Sequence, residues 1–179
     1  MDGHEPSAWE ERLLQNVQDR QPGFVADETV GRLAKWLRIL GFDTRYVPDR
    51  SRRPGTMADT GKRILLTRSR YHYQNEKSIQ VLRLNSDDVM QQVTEVLTAL
   101  DLTIDTVEPC SRCIRCNVPT CVVAKASVFG KVPDYIWETQ AEFYQCRQCQ
   151  KIYWPGSHYQ RIQAIIANIL PAQKASDDN

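Results

Sequence analysis

The 179 residues predict an α/β fold, a mainly parallel sheet flanked by helices, followed by a small cysteine-rich module. Three observations carry this. Short apolar runs alternate with helix-period patterns over residues 24–100. After Pro109 the chain turns Pro-punctuated and short-stranded, and two Cys-x-x-Cys pairs, Cys113/Cys116 and Cys146/Cys149, fall in that stretch.

The elements follow in order. Residues 8–18 place Trp9, Leu13 and Val17 four apart, an amphipathic helix in an N-terminal extension over 1–23. Residues 24–27 read as a buried strand ending in Asp27. Residues 30–40 read as a helix closed by Gly41, with Leu33, Trp36, Leu37 and Leu40 on its apolar face and Arg32, Lys35 and Arg38 recurring on an adjoining side. Strands are expected at 43–47, 63–67 and 79–84, with a short helical piece at 57–62. Ser86, Asp87 and Asp88 then cap a helix whose Val89, Val93, Val96, Leu97 and Leu100 match a 3.6-residue period. Polar groups just past the C-terminal ends of parallel strands converge on a ligand crevice, which places Asp27 at a candidate site. A helix N-cap is its other reading.

Two Cys-x-x-Cys turns supply the four thiolates that structural zinc takes, at about 2.3 Å each. The 29 residues between Cys116 and Cys146 fit a ribbon with a hairpin inserted between its knuckles. Cys110 and Cys113 are also x-x spaced, so Cys110 is an alternative ligand, while His158 reads as a surface or packing residue, with ligation its other reading. The module is expected over 109–162 and the sheet over 24–108, with a C-terminal helix and polar tail over 163–179.

The net charge of +1 hides a segment, residues 30–70, with eleven Lys and Arg against three acids, an excess of +8. Such a segment fits a polyanion. No stretch approaches the roughly 20 apolar residues of a membrane span, and the polar, acidic start has no hydrophobic signal core. A cytoplasmic protein is expected, where paired cysteines favour metal over disulfides.

Five quoted stretches, FVADETVGRLAKWLRILGFDT, GKRILLTRSR, SDD, SRCIRCN and YQCRQCQKIYWPGSHYQR, resemble in order and spacing the Mut-seven C-terminal RNase domain family. The resemblance covers about residues 24–162. It implies a PIN-like nuclease fold with a C-terminal zinc ribbon and a carboxylate cluster for Mg²⁺ or Mn²⁺, hard ions that take oxygen ligands and activate water. On it, Asp27, Asp49 and Asp88 are the expected catalytic carboxylates, Asp87 and Asp88 each being either metal ligand or helix cap. Arg68, Arg70, Arg32 and Lys35 are the expected phosphate contacts on RNA, single-stranded, with Tyr71 and Tyr73 placed to stack bases.

Two places depart from the family pattern. After the second strand, where the family is commonly acid-rich, Asp49 is followed by Arg50, Ser51, Arg52 and Arg53. Where the third strand is typically followed by T-R-D-R, this chain has Thr67-Arg68-Ser69-Arg70. A hydroxyl is a weaker ligand than a carboxylate for a hard cation. Two functions therefore stand: a metal-dependent ribonuclease with weakened activity, or a non-catalytic RNA-binding or adaptor protein on the same fold. A domain that binds only a protein partner or a second copy is a third.

Overall fold

The computed structural model describes residues 21–49, 63–69, 79–102 and 108–156, and positions 164 and 167 beyond them. The expected helices at 8–18 and 57–62, together with Arg70, Tyr71, Tyr73 and His158, lie outside the described residues.

Four parallel strands form the first sheet: β1 (Gly23–Ala26), β2 (Thr44–Tyr46), β3 (Arg63–Thr67) and β4 (Val81–Arg83). Their spatial order is β2-β1-β3-β4. The chain leaves β1 to one side for β2 and returns to its other side for β3, so the sheet reverses direction between β1 and β3. That gap is a topological switch point, where parallel sheets take ligands beyond their strand ends.

Two helices, α1 (Gly31–Ile39) and α2 (Val89–Ala99), cover one face. Side chains alternate across a strand, so Phe24, Ala26 and Leu66 meet Leu33, Leu37, Val93 and Leu97 on this side, all buried. Val25 and Leu65 point the other way, into a small cluster with Val47. Helix α1 ends as its sequence reads: Gly41 takes a φ of +99°, and the amide of Phe42 bonds the carbonyl of Leu37 at 2.9 Å. A Cβ there would also lie 2.7 Å from the Glu108 carbonyl oxygen, so the same glycine admits the incoming cysteine-rich segment.

Strands β5 (Thr120–Val123), β6 (Phe143–Cys146) and β7 (Ile152–Tyr153) make a second, antiparallel sheet in the order β5-β6-β7. The expected hairpin between knuckles is more elaborate. A 3-10 turn, Lys125–Val128, and helix α3 (Asp134–Thr139) lie between β5 and β6. They are there because Val128, Val132 and Ile136 close over Phe143, giving the module a core of its own. No helix among the described residues is long and apolar enough to cross a membrane.

Candidate functional site

Asp27 lies one residue past β1 and is 1% exposed. Its Oδ1 accepts from the Thr29 amide at 2.9 Å and from the Thr29 hydroxyl, capping the 3-10 turn Glu28–Val30. Its Oδ2 accepts from the hydroxyl of Thr67, the last residue of β3. Two further bonds of 2.9 Å lace the strand ends: the Arg68 amide donates to the Thr29 hydroxyl, and the Ser69 amide to the Thr67 hydroxyl. The capping role of Asp27 is thus realised, and it sets the carboxylate across the β1/β3 switch point. Ser69 is linked to it by two hydrogen bonds through the Thr67 hydroxyl.

The other expected acids are arranged differently. Asp88 caps α2, accepting from the amides of Met90 and Gln91 at 2.9 and 3.0 Å. Asp87 forms an ion pair with Arg68. Asp49 is exposed on the loop after β2. Among the described residues, the one group of three or more potential ligands close enough to hold a metal ion is a set of cysteines, and Asp27, Asp49 and Asp88 do not form a second.

A cleft of about 430 Å³ opens along α1; Glu28 and Thr29 line it, while the buried Asp27 itself does not. Four cations line it, Arg32, Lys35, Arg38 and Arg68, with two acids, Glu28 and Asp87. Arg32 and Lys35 were legible as a basic helix side. Glu28 and Asp87 carried no local signal as cleft walls, because only the approach of α1 to the loop before α2 makes them so. Burial pulls the Arg38 guanidinium below its ordinary value, opposed by the nearby Cys113 thiol and Asp43.

The cysteine cluster is built from two matching turns. In the first, the Asn117 amide bonds the Cys113 carbonyl at 2.9 Å and the Cys116 amide points at the Cys113 sulfur at 3.3 Å. In the second, Gln150 and Cys149 repeat this on Cys146, at 2.9 and 3.5 Å. Asn117 and Gln150 both sit at positive φ, 62° and 60°, which curls each turn back on itself.

The sulfurs of Cys113, Cys116, Cys146 and Cys149 all lie within 4.8 Å of one another. Cys113 and Cys149 are 3.7 Å apart, close to the roughly 3.8 Å edge of a regular tetrahedron with 2.3 Å bonds. Burial opposes the Cys113 thiolate, yet hydrogen bonds from the Tyr153 hydroxyl and the Cys116 amide hold its pKa down to about 6. Burial and the neighbouring sulfurs push Cys116 up to about 12. Four thiols so placed resist shared ionisation until a cation compensates them, and the set can hold one zinc ion.

Cys110 and Cys121 stand outside this set. Burial raises the Cys110 thiol, and the Cys121 sulfur bonds the Gln145 carbonyl at 3.3 Å across β5 and β6.

The fold and this cluster are those of an α/β domain joined to a four-cysteine module. The family model described as the Mut7-C RNAse domain matches residues 22–166, and the chain belongs to that family. Searches of curated proteins and of solved structures return no match.

Proposed function

We propose that the chain cleaves RNA phosphodiesters as a metal-dependent ribonuclease of reduced activity. Asp27 is the principal ligand for Mg²⁺ or Mn²⁺, Asp49 and Asp88 are supporting carboxylates, and Arg68, Arg70, Arg32 and Lys35 hold phosphates. The observation that carries this reading is the place of Asp27, a buried carboxylate at the β1/β3 switch point whose hydrogen-bond partner Thr29 lines a cleft with four cations. Were a divalent ion bound by Asp27, it would supply an activated water and a Lewis acid for the phosphoryl oxygen. The chain's own residues bind and orient: guanidinium and ammonium groups fix the strand by its phosphates, and Thr29 and Thr67 aim the carboxylate. Reduced activity follows from a thin donor set, since both Asp27 oxygens already accept hydrogen bonds and Ser69 adds no charge.

Cys113, Cys116, Cys146 and Cys149 are assigned to one structural zinc. Spending four cysteines on one metal set rather than on disulfides supports a reducing compartment, the cytoplasm.

A second reading, a non-catalytic RNA-binding or adaptor protein, is favoured by one observation. Among the described residues the three acids do not come together as a metal site.

The experiment is incubation of labelled single-stranded RNA with the protein and Mn²⁺ or Mg²⁺, beside Asp27→Asn. Cleavage that the substitution abolishes supports the nuclease. Binding without cleavage supports the second reading, and neither binding nor cleavage removes both.

A further inference from the structure

Tyr46 is the last residue of β2 and stands in register with Ala26, so it sits at the same sheet end as Asp27. A tyrosine there, on the helix-covered face, would ordinarily be buried. It is 41% exposed instead, and it lines the cleft beside Arg32 and Lys35.

Its ring lies against the first residue of α1. A Cβ on Gly31 would come within 2.8 Å of Tyr46 Cε2 and Cζ and 2.9 Å of its hydroxyl oxygen. Gly31 has φ −61° and ψ −27°, ordinary right-handed values that any residue adopts. The glycine is therefore not required by the backbone, and glycine is a poor helix former. What it provides is room for the hydroxyl end of the ring to lie against the helix start while part of the residue faces solvent.

We propose that Tyr46 is a stacking platform for one unpaired nucleobase in this cleft, which makes the ligand a single strand rather than a duplex. The inference rests on the RNA-directed reading above. An aromatic ring beside a cationic track is how single strands are held without sequence preference: the ring takes the π-face of a base and the cations take the adjoining phosphates. Bases inside a duplex have both faces occupied by their neighbours and cannot use such a ring. Arg32 and Lys35 lie one and four residues beyond Gly31 on the same helix and line the same cleft, which suits phosphates on either side of a stacked base. Of the two acids in the cleft, Asp87 is already paired with Arg68.

The test uses fluorescence anisotropy on the full chain with three labelled probes: an unstructured oligoribonucleotide, an abasic strand of equal length, and a duplex. Wild type should favour the base-bearing strand over the abasic one by roughly 5- to 150-fold, the range for one base stacked on one ring. Tyr46→Ala should erase that preference while leaving abasic affinity unchanged, and Tyr46→Phe should keep it. Gly31→Ala is the second variant: its Cβ displaces only the far end of a side chain, so the thermal midpoint should hold while the base preference falls. Salt-dependent binding of base-bearing and abasic strands with equal affinity would overturn the role of Tyr46 and leave the RNA reading standing. So would a base preference that survives Tyr46→Ala. Absence of binding to any probe by wild type removes both.

Discussion

The side-chain amide of Asn117 donates to Asp43 at 2.7 Å, joining the residue after the first Cys-x-x-Cys turn to the residue before β2. The side-chain oxygen of Asn117, Oδ1, accepts from the Thr44 amide at 3.0 Å, and the other oxygen of Asp43 pairs with Arg63 at the start of β3. Arg38 adds bonds from α1 to the carbonyls of Ile114 and Arg115, at 2.9 and 3.3 Å. The cysteine turn is thereby bolted to the end of the sheet opposite Asp27. The two parts of the chain share their stability.

Removing that bolt should be costly. Asn117→Gly keeps the left-handed backbone and loses both hydrogen bonds, and is expected to destabilise by about 1–3 kcal/mol. Asn117→Ala should cost about 1 kcal/mol more, because Ala resists φ near 60°. Denaturant unfolding checks both values. A Gly variant as stable as wild type would show that the bonds contribute nothing.

Much of this architecture was legible because it is local. Strand β3 matches its expected bounds residue for residue, RILLT being an apolar run between basic punctuation. Gly41 closes α1 and Asp88 caps α2 as read. The four cysteines meet as their spacing implied. What stayed hidden is long-range. Arg38 and Asn117 reach across 73 to 77 positions, and periodicity says nothing about such partners. Tyr46 reads as an ordinary strand aromatic until Gly31 is found beneath it, and α3 within the cysteine module is too short to show a helical pattern.

Metal removal should therefore reach beyond the zinc module. Cys146→Ser or Cys149→Ser, or chelation of wild type, is expected to abolish one equivalent of bound zinc and unfold β5 to β7, since thiolate ligation supplies folding free energy to small modules. Hydrogen exchange should also accelerate around residues 37–44, where Arg38, Gly41 and Thr44 hold the first knuckle, while the interior of α2 stays protected. Metal-free protein with an intact module would refute the zinc assignment.

Arg68 is divided between Asp87 and any phosphate that enters the cleft. The Asp87 side chain is 86% exposed, so the pair is solvent-screened and readily given up. Asp87→Asn should free the guanidinium and tighten RNA binding several-fold at low salt. Arg68→Ala should reduce the magnitude of the log–log salt slope by roughly 0.7, the share of one phosphate contact on a single strand. Titrations at several salt concentrations give both numbers, and an Arg68→Ala slope equal to wild type would take Arg68 out of the phosphate track.

Ser69 separates the two functions. Its amide bonds the Thr67 hydroxyl, which in turn donates to Asp27, so Ser69→Asp places a second carboxylate close to a buried one. Without metal the two like charges repel, and the variant should unfold at lower temperature than wild type. A divalent ion held between them relieves the repulsion, so Mn²⁺ should raise its thermal midpoint more than that of wild type, through binding to the native state alone. Cleavage of single-stranded RNA should rise with it, and adding Asp27→Asn should abolish both gains. The adaptor reading predicts otherwise. In a surface remodelled for binding, the new charge next to Arg68 repels phosphate, so RNA affinity falls with no metal-dependent shift and no cleavage. That second pattern would end the nuclease assignment for this chain, because it would show that restoring the missing carboxylate does not restore a metal site.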